Sequence, residues 1–328
     1  MAPVHGQDAR ATTRANRIPF TVWLGLALLL LCEALLFTDV TASHRGALRS
    51  QRAFDALIQP HTPLQKLARW VATNMTPLAW LGYVVFTEGV LAMQVSGSPV
   101  RRRPHHFACL CLISIFIWCV FDFINFYFIN AWYYAGVPMV FLDRFWGYLL
   151  AFGAVVPGML MSGQMLMNAG WFDWARSGNW RMPRWLKWAA LAAGVGMIAW
   201  PILSHDPASN YTLWLSLIFL LDPINLKLGR PSMFRDWQNG WYGRTLAACA
   251  GGLICGFLWE FWNFWATAKW IYTLPFLGAT LKYHYFEMPV VGLLGFIPFG
   301  MECWVMWQTL RIPLDGLAEP LPDERTLL

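Results

Sequence analysis

The chain has 328 residues, of which 57% are hydrophobic and only 13% charged, where soluble domains carry about 25% charged residues. Apolar runs of about 20 residues recur and read as membrane-spanning helices, which excludes an ordinary soluble domain. The net charge of +6 sits mostly in short loops between these runs, where it sets topology, and it is no sign of a nucleic-acid partner.

In chain order, residues 1–17 are polar, contain Arg10, Arg14 and Arg17, and read as a cytoplasmic tail. The apolar run 18–37 is too long for a signal-peptide core and has no evident small-residue cleavage site, so it reads as a retained first span. Together with a polar loop it forms a segment 18–75, in which "LQKLARWVATNM" (64–75) predicts a short interfacial helix. A first membrane unit, 76–168, holds spans 76–95, 107–130 and 145–168. Residues 169–210 form a linker containing a fifth span, 186–204. A second unit, 211–310, holds spans 211–228, 244–268 and 288–310, and 311–328 is a tail. The expected fold class is all-α, with eight spans.

The basic loops "RRRPHH" (101–106), "RSGNWRMPRWLK" (176–187) and "KLGRPSMFRDWQNGWYGR" (227–244) alternate with loops 131–144 and 205–210, which carry no net positive charge. This alternation predicts both termini on the cytoplasmic side of a bacterial cytoplasmic membrane. The basic segment 38–75 breaks the pattern, and as the longest loop it is where the rule is weakest. Topogenic charge accounts for these loops, although "RRRPHH" and "GRPSMFR" are also of the kind that binds lipid phosphate.

The two units resemble each other. "DFINFYFINAWYY" (122–134) aligns with "EFWNFWATAKWIY" (260–272) without a gap, placing Asp122 on Glu260 and Asn125 on Asn263. "WLGYVVFTE" (80–88) aligns with "WLSLIFLLD" (214–222), again acid on acid, and Phe145 and Pro157 align with Phe286 and Pro298. The second, third and fourth spans thus correspond to the sixth, seventh and eighth. The expectation is two parallel three-helix repeats about a pseudo-two-fold along the membrane normal.

Carboxylates inside a bilayer are costly, about 2.5–3.5 kcal/mol each, and face a bundle interior or a cavity. The candidates are Glu33, Glu88, Asp122, Asp222, Glu260 and Glu302, with Glu287 just before the last span. Asp122 with Asn125, and Glu260 with Asn263, lie three residues apart and so share a helix face, where an amide can donate to the carboxyl. A buried carboxyl can serve as a general acid, and aromatic faces stabilise cations. Glu260, Asp122, Asn263, Asn125, Glu88 and Asp222 are therefore the catalytic candidates, and Trp259, Trp262, Tyr127, Glu287 and Glu302 the substrate-binding ones. The acid–amide pairs would equally serve to hydrogen-bond helices together. Trp132, Tyr134, Trp270 and Tyr272, at span ends, read as interfacial belt residues. Lys269 and Lys282 either neutralise an acidic substrate group or snorkel to the interface.

The seven cysteines lie mostly in apolar runs without a CxxC and read as buried hydrophobes. The seven histidines offer no i,i+4 pair within a span, and neither a P-loop nor a DxxxD motif is present. No metal or cofactor is expected.

Tandem helical units, each with an intramembrane acid flanked by aromatics, resemble the polytopic membrane cyclases of isoprenoids, of the lycopene and fungal meroterpenoid types. The likeness covers the architecture of residues 76–310; the P-x-E-[ED] motif of the lycopene cyclases is absent, and "EMP" (287–289) is the nearest string. The resemblance implies that a carboxyl protonates an alkene or epoxide and the resulting cation is quenched, with Asp122 and Glu260 as acid and partner and Glu88 and Asp222 in support. The resulting expectation is a membrane enzyme performing acid–base chemistry on a lipid-soluble substrate, in one shared cavity between the two helical repeats, with isoprenoids the suggested class. A proton-coupled transporter and a non-catalytic pigment-, quinone- or lipid-binding subunit of a membrane complex stay open as alternatives.

Overall fold

The computed structural model describes residues 18–43, 51–94, 97–273, 283–315 and 326–328. The 1–17 tail, part of the 38–75 segment, Lys282 and most of the 311–328 tail lie outside the described residues.

The chain is mainly helical. The Leu-rich α1 (Phe20–Ser43) leads through α2 (Gln51–Asp55) to α3 (Pro63–Thr73), α4 (Met75–Met93) and the short α5 (Pro99–Arg102). Helix α6 (Pro104–Ile124) runs into one π-helical turn, Asn125–Ile129, followed by strand β1 (Trp132–Ala135) and the long α7 (Phe141–Asn168). Next come α8 (Arg184–Ser204), α9 (Asn210–Lys227), α10 (Met233–Gln238), α11 (Gly243–Trp265) and strand β2 (Lys269–Tyr272). A two-residue hairpin of β3 (His284–Tyr285) and β4 (Met288–Pro289) precedes α12 (Val290–Leu293), α13 (Phe296–Leu310) and α14 (Ile312–Asp315).

Helix α3 starts where the sequence asks for it. Thr62 accepts from the Gln65 amide while the Gln65 side chain accepts from the Thr62 amide, a capping box with Pro63 at the first helical position. Its Leu64, Leu67 and Trp70 are exposed, as the expected interfacial helix requires.

Six described helices are long and apolar enough to cross a membrane: 20–40, 75–93, 104–129, 141–168, 184–204 and 243–265. The remaining two expected spans are helical but do not meet that measure. Helix α13 has 15 residues, about 22 Å at 1.5 Å per residue, because the hairpin and α12 take up the start of the 288–310 run. Helix α9 ends in a polar turn containing Asp222, Asn225 and Lys227.

Helix α7 is the centre of the bundle, with 72% of its apolar stretch buried, and α8 the periphery, with 17%. Its Pro157 would leave a gap in the backbone ladder. Ser114 of α6 inserts there, donating to the Phe152 carbonyl and accepting from the Val156 amide at 3.0 Å. Two crossings of α11 are backbone to backbone. A Cβ at Gly251 would come within 2.2 Å of the Met159 carbonyl on α7, and one at Gly252 within 2.1 Å of the Phe296 carbonyl on α13. Without a hydrophobic drive between helices in lipid, such close approach supplies the packing.

At one end of the bundle, β1 and β2 pair antiparallel, with Trp132 opposite Tyr272, Tyr133 opposite Ile271, Tyr134 opposite Trp270 and Ala135 opposite Lys269. The basic loops gather at the other end. Residues 177 and 180 donate to the backbone of 240 and 238, Arg176 stacks over Trp241, and Gln94 bonds to Met165 and Asn168. Not all of that charge is on the surface. Arg244 is buried, pairs with Asp236 at 2.6 Å and lies over the Trp304 ring.

Candidate functional site

The β1–β2 ladder brings the two matched strings together. Asn125 and Asn263 do not donate to Asp122 and Glu260, contrary to the expectation from their spacing. Asn125 donates to the Trp132 carbonyl at 2.8 Å and accepts from the Ala131 and Trp132 amides at 2.8 and 3.1 Å. Asn263 donates to the Trp270 carbonyl at 3.0 Å and accepts from the Trp270 amide at 3.0 Å. Both amides are fully buried and fold each strand back under the end of its own helix. They satisfy backbone groups that the turn would otherwise leave bare.

The carboxyls are held instead by the strands' aromatic side chains. Trp132 Nε1 donates to Asp122 Oδ1 at 3.1 Å, and the Tyr134 hydroxyl lies 3.0 and 3.1 Å from the two Asp122 oxygens. Trp118 Nε1 in turn donates to the Tyr134 oxygen at 3.1 Å. On the second strand the Tyr272 hydroxyl donates to Glu260 Oε1 at 2.6 Å and accepts from Trp270 Nε1 at 2.9 Å. Glu260 is fully buried, and its Oε2 has no hydrogen-bond partner among the described residues. Burial, and then the adjacent carboxylate, push both phenols well above their ordinary range, so Tyr134 and Tyr272 are protonated donors at neutral pH.

Each tyrosine faces its own cavity. The first, a narrow cavity of about 70 Å³, is walled by Trp132, Trp214, Trp270, Tyr272, Phe296 and Phe299, with Asn210 at its edge. The Asn210 Oδ1 is buried with no hydrogen-bond partner among the described residues. The second, also about 70 Å³, is lined by Trp80, Tyr134, Tyr148 and Phe152, with Asp143, Arg144 and Lys269 as its charged residues. Trp118, Trp259 and Trp270 line both cavities, and the Trp118 and Trp259 rings are 5.0 Å apart. The two acid–aromatic clusters therefore stand beside two cavities that share a tryptophan wall, rather than around one central chamber.

The other candidates are placed as follows. Trp259 is a cavity wall. Trp262 is not; its Nε1 donates to Glu33 of α1 at 2.8 Å and its ring meets Trp80 edge-on at 5.2 Å, so it ties α1 to α11. Tyr127 is 70% exposed because the π-helical turn carries it to the outside of the bundle, away from both cavities. Glu88 and Asp222 lie at the far end of the bundle, where each anchors the loop that follows it. Glu88 accepts from Ser98 and pairs with Arg101 at 3.3 Å. Asp222 accepts from Ser232 at 2.9 Å and from the Met233 and Phe234 amides at 3.0 and 2.8 Å. Glu302, buried in α13, accepts from the Leu217 amide of α9 at 2.8 Å and clasps those two helices. Glu287 is buried at the turn before β4, on neither cavity's wall. Lys269 lines the second cavity, donates to the Phe264 carbonyl at 3.1 Å and lies 5.4 Å from the centre of that ring.

The residues that sequence reasoning passed over are Trp132, Tyr134, Trp270 and Tyr272, read as interfacial belt and found holding the acids. The signal was present in the aligned strings. In each, the tryptophan follows the acid by ten residues and the tyrosine by twelve. A strand folded back under its helix turns that spacing into contact.

No family model matches the chain, and no curated protein or solved structure is significantly similar to it.

Proposed function

We propose that the chain is a multi-pass membrane enzyme performing carboxylate-based acid–base chemistry on a lipid-soluble substrate, with isoprenoid-like unsaturated molecules the class that fits best. The observation that carries this reading is the Glu260–Tyr272 pair. A fully buried carboxyl bonds to a phenol whose ring walls a cavity built mainly of tryptophan and phenylalanine. With Glu260 protonated, Tyr272 passes its proton to a substrate double bond and takes one back from Glu260. The carbocation so formed is held against the aromatic faces and loses a proton from a neighbouring carbon to the Tyr272 oxygen, whose own proton passes back to the Glu260 carboxylate, leaving an isomerised or cyclised product, the starting protonation state and no change in oxidation state. Asp122 and Tyr134 form the corresponding pair at the second cavity.

The reading extends to the architecture, as two parallel copies of one unit within eight spans. Its support is a set of matched contacts. Asn125 and Asn263 each clasp a tryptophan seven residues on, Asp122 and Glu260 each meet a tyrosine twelve residues on, and Glu88 and Asp222 each hold a serine ten residues on. The β1–β2 register is symmetric about the pair Tyr133–Ile271. Gly25 of α1 packs on the Phe86 backbone of α4, and Gly194 of α8 on the Leu220 backbone of α9, which adds the first and fifth spans to the duplicated unit as a fourth helix in each. The clustering of basic loops at one end of the bundle fits that end facing the cytoplasm of a bacterial cell.

The test is incubation of the purified protein with a membrane-lipid extract in D2O, followed by mass spectrometry. Protonation of a double bond places deuterium on carbon, where it does not wash out. Wild type should yield a deuterated lipid and Glu260→Gln none. A lipid that co-purifies stoichiometrically and never gains deuterium would overturn the enzymatic reading in favour of a binding subunit. Proton-driven uptake into proteoliposomes without deuteration would favour a transporter.

A further inference from the structure

At the end of the bundle where the basic loops gather, α8, α9 and α10 enclose a groove of about 830 Å³. Four cations line it, Arg184, Lys187, Lys227 and Arg235, and no carboxylate does. The nearby acids are committed elsewhere, Asp236 to Arg244 and Asp222 to the start of α10. Among the described residues Arg184, Lys187 and Lys227 have no ion-pair partner. Arg235 is fixed in place by donating to the Gly229 carbonyl at 3.1 Å. Like charges lining one groove repel one another, and an anion seated between them offsets that cost.

The surroundings identify the kind of anion. The apolar side of the groove is Trp188 and Leu191 of α8 with Ile224 of α9. Helix α8 is the most peripheral of the six apolar helices, and Trp185 and Trp188 in its first turns are each 68% exposed. Exposed tryptophans at the start of an apolar outer helix mark headgroup depth. The cations therefore lie where lipid phosphates lie, and the apolar strip leads from them along the face where an acyl chain would run. Arginine forks and lysine point charges are the usual phosphate donors, and basic pockets between membrane helices take anionic headgroups.

We propose that this groove binds one anionic phospholipid, its phosphate among Arg184, Lys187 and Lys227 and one acyl chain along Trp188 and Leu191. The site is separate from the two aromatic cavities and does not depend on the enzymatic reading.

The test is native mass spectrometry of the full chain in detergent, titrated with phosphatidylglycerol or phosphatidylcholine, with melting temperature measured in parallel. Wild type should retain one phosphatidylglycerol, bound at least about tenfold more tightly than phosphatidylcholine. Changing Arg184, Lys187 and Lys227 together to glutamine should weaken that binding by about tenfold or more. Lys187→Glu, a single change at a half-buried position of α8, serves if the triple variant does not fold, and should weaken binding in the same direction. Equal retention of both lipids by wild type, or unchanged phosphatidylglycerol binding in the variants, overturns the proposal. Inorganic phosphate that stabilises wild type as much as phosphatidylglycerol does would also overturn it, because the site would then be one for a soluble anion.

Discussion

Tyr272 donates to Glu260 at 2.6 Å from a strand that Asn263 holds beneath the end of α11. The phenol is the link between a carboxyl shut off from solvent and an aromatic-walled cavity. Removing the hydroxyl should break that link and little else. Tyr272→Phe is expected to lower deuterium incorporation by about 100-fold or more, within the range of a lost general acid. It should cost about 1–3 kcal/mol of stability for the carboxyl left without its donor. Activity per folded molecule, with folding followed by thermal melting in detergent, separates the two effects.

Asn125 and Asn263 should behave as structural residues. Asn125 makes three hydrogen bonds to the backbone of the turn and Asn263 two. Each alanine substitution strands buried backbone groups at about 1–3 kcal/mol apiece. Asn125→Ala should therefore lower the melting temperature more than Asn263→Ala. Equal melting of both variants and wild type would remove the amides from the account of the fold.

Asp222 and Glu260 offer a sharper contrast, since both are fully buried carboxyls. Asp222 accepts from two backbone amides and a serine hydroxyl, all at the start of α10. Asp222→Ala should cost about 3 kcal/mol or more, by leaving a buried donor set unpaired, and should leave turnover per folded molecule unchanged. Glu260→Gln should do the reverse. Paired melting and turnover measurements on the two variants check the assignment.

The crossings of α11 make a prediction of their own. Gly252 and Gly300 face each other, and a Cβ on Gly300 would come within 2.1 Å of the Ala248 carbonyl. Gly252→Val would push backbone from backbone, and no side-chain rotation relieves such a clash. Little folded protein should be recovered from membranes, whereas Gly147→Ala, at a position with open space around it, should express normally. Size-exclusion profiles in detergent make the comparison.

Helix formation and membrane character were legible in the sequence because both rest on local chemistry. Apolar runs of about 20 residues must hide their backbone polar groups and do so as helices. The alignment of Asp122 with Glu260, and of Asn125 with Asn263, was likewise a property of the string. The partners were not legible. Spacing of three residues puts acid and amide on one face of a continuous helix. Here the chain leaves the helix after Asn263 or passes through a π-helical turn after Asn125, and the returning strand captures the amide first. The same return brings Trp132, Tyr134, Trp270 and Tyr272 from an expected belt to the carboxyls, and it carries Tyr127 outward. Summed hydropathy reads 288–310 as one continuous run and does not register that it begins with the second strand of a hairpin and the short α12.

By itself, then, the sequence determined the helical class with apolar, membrane-length helices, the positions of the buried acids and the alignment of the two strings, since composition, period and spacing are properties of the chain alone. Which side chains hold those acids, and that two cavities meet at Trp118 and Trp259, was decided by tertiary structure. The deciding event is the pairing of β1 with β2, whose residues lie far apart in the chain. Hydrogen bonds across that distance are set by how helices pack, and the close glycine crossings of α11 set the packing.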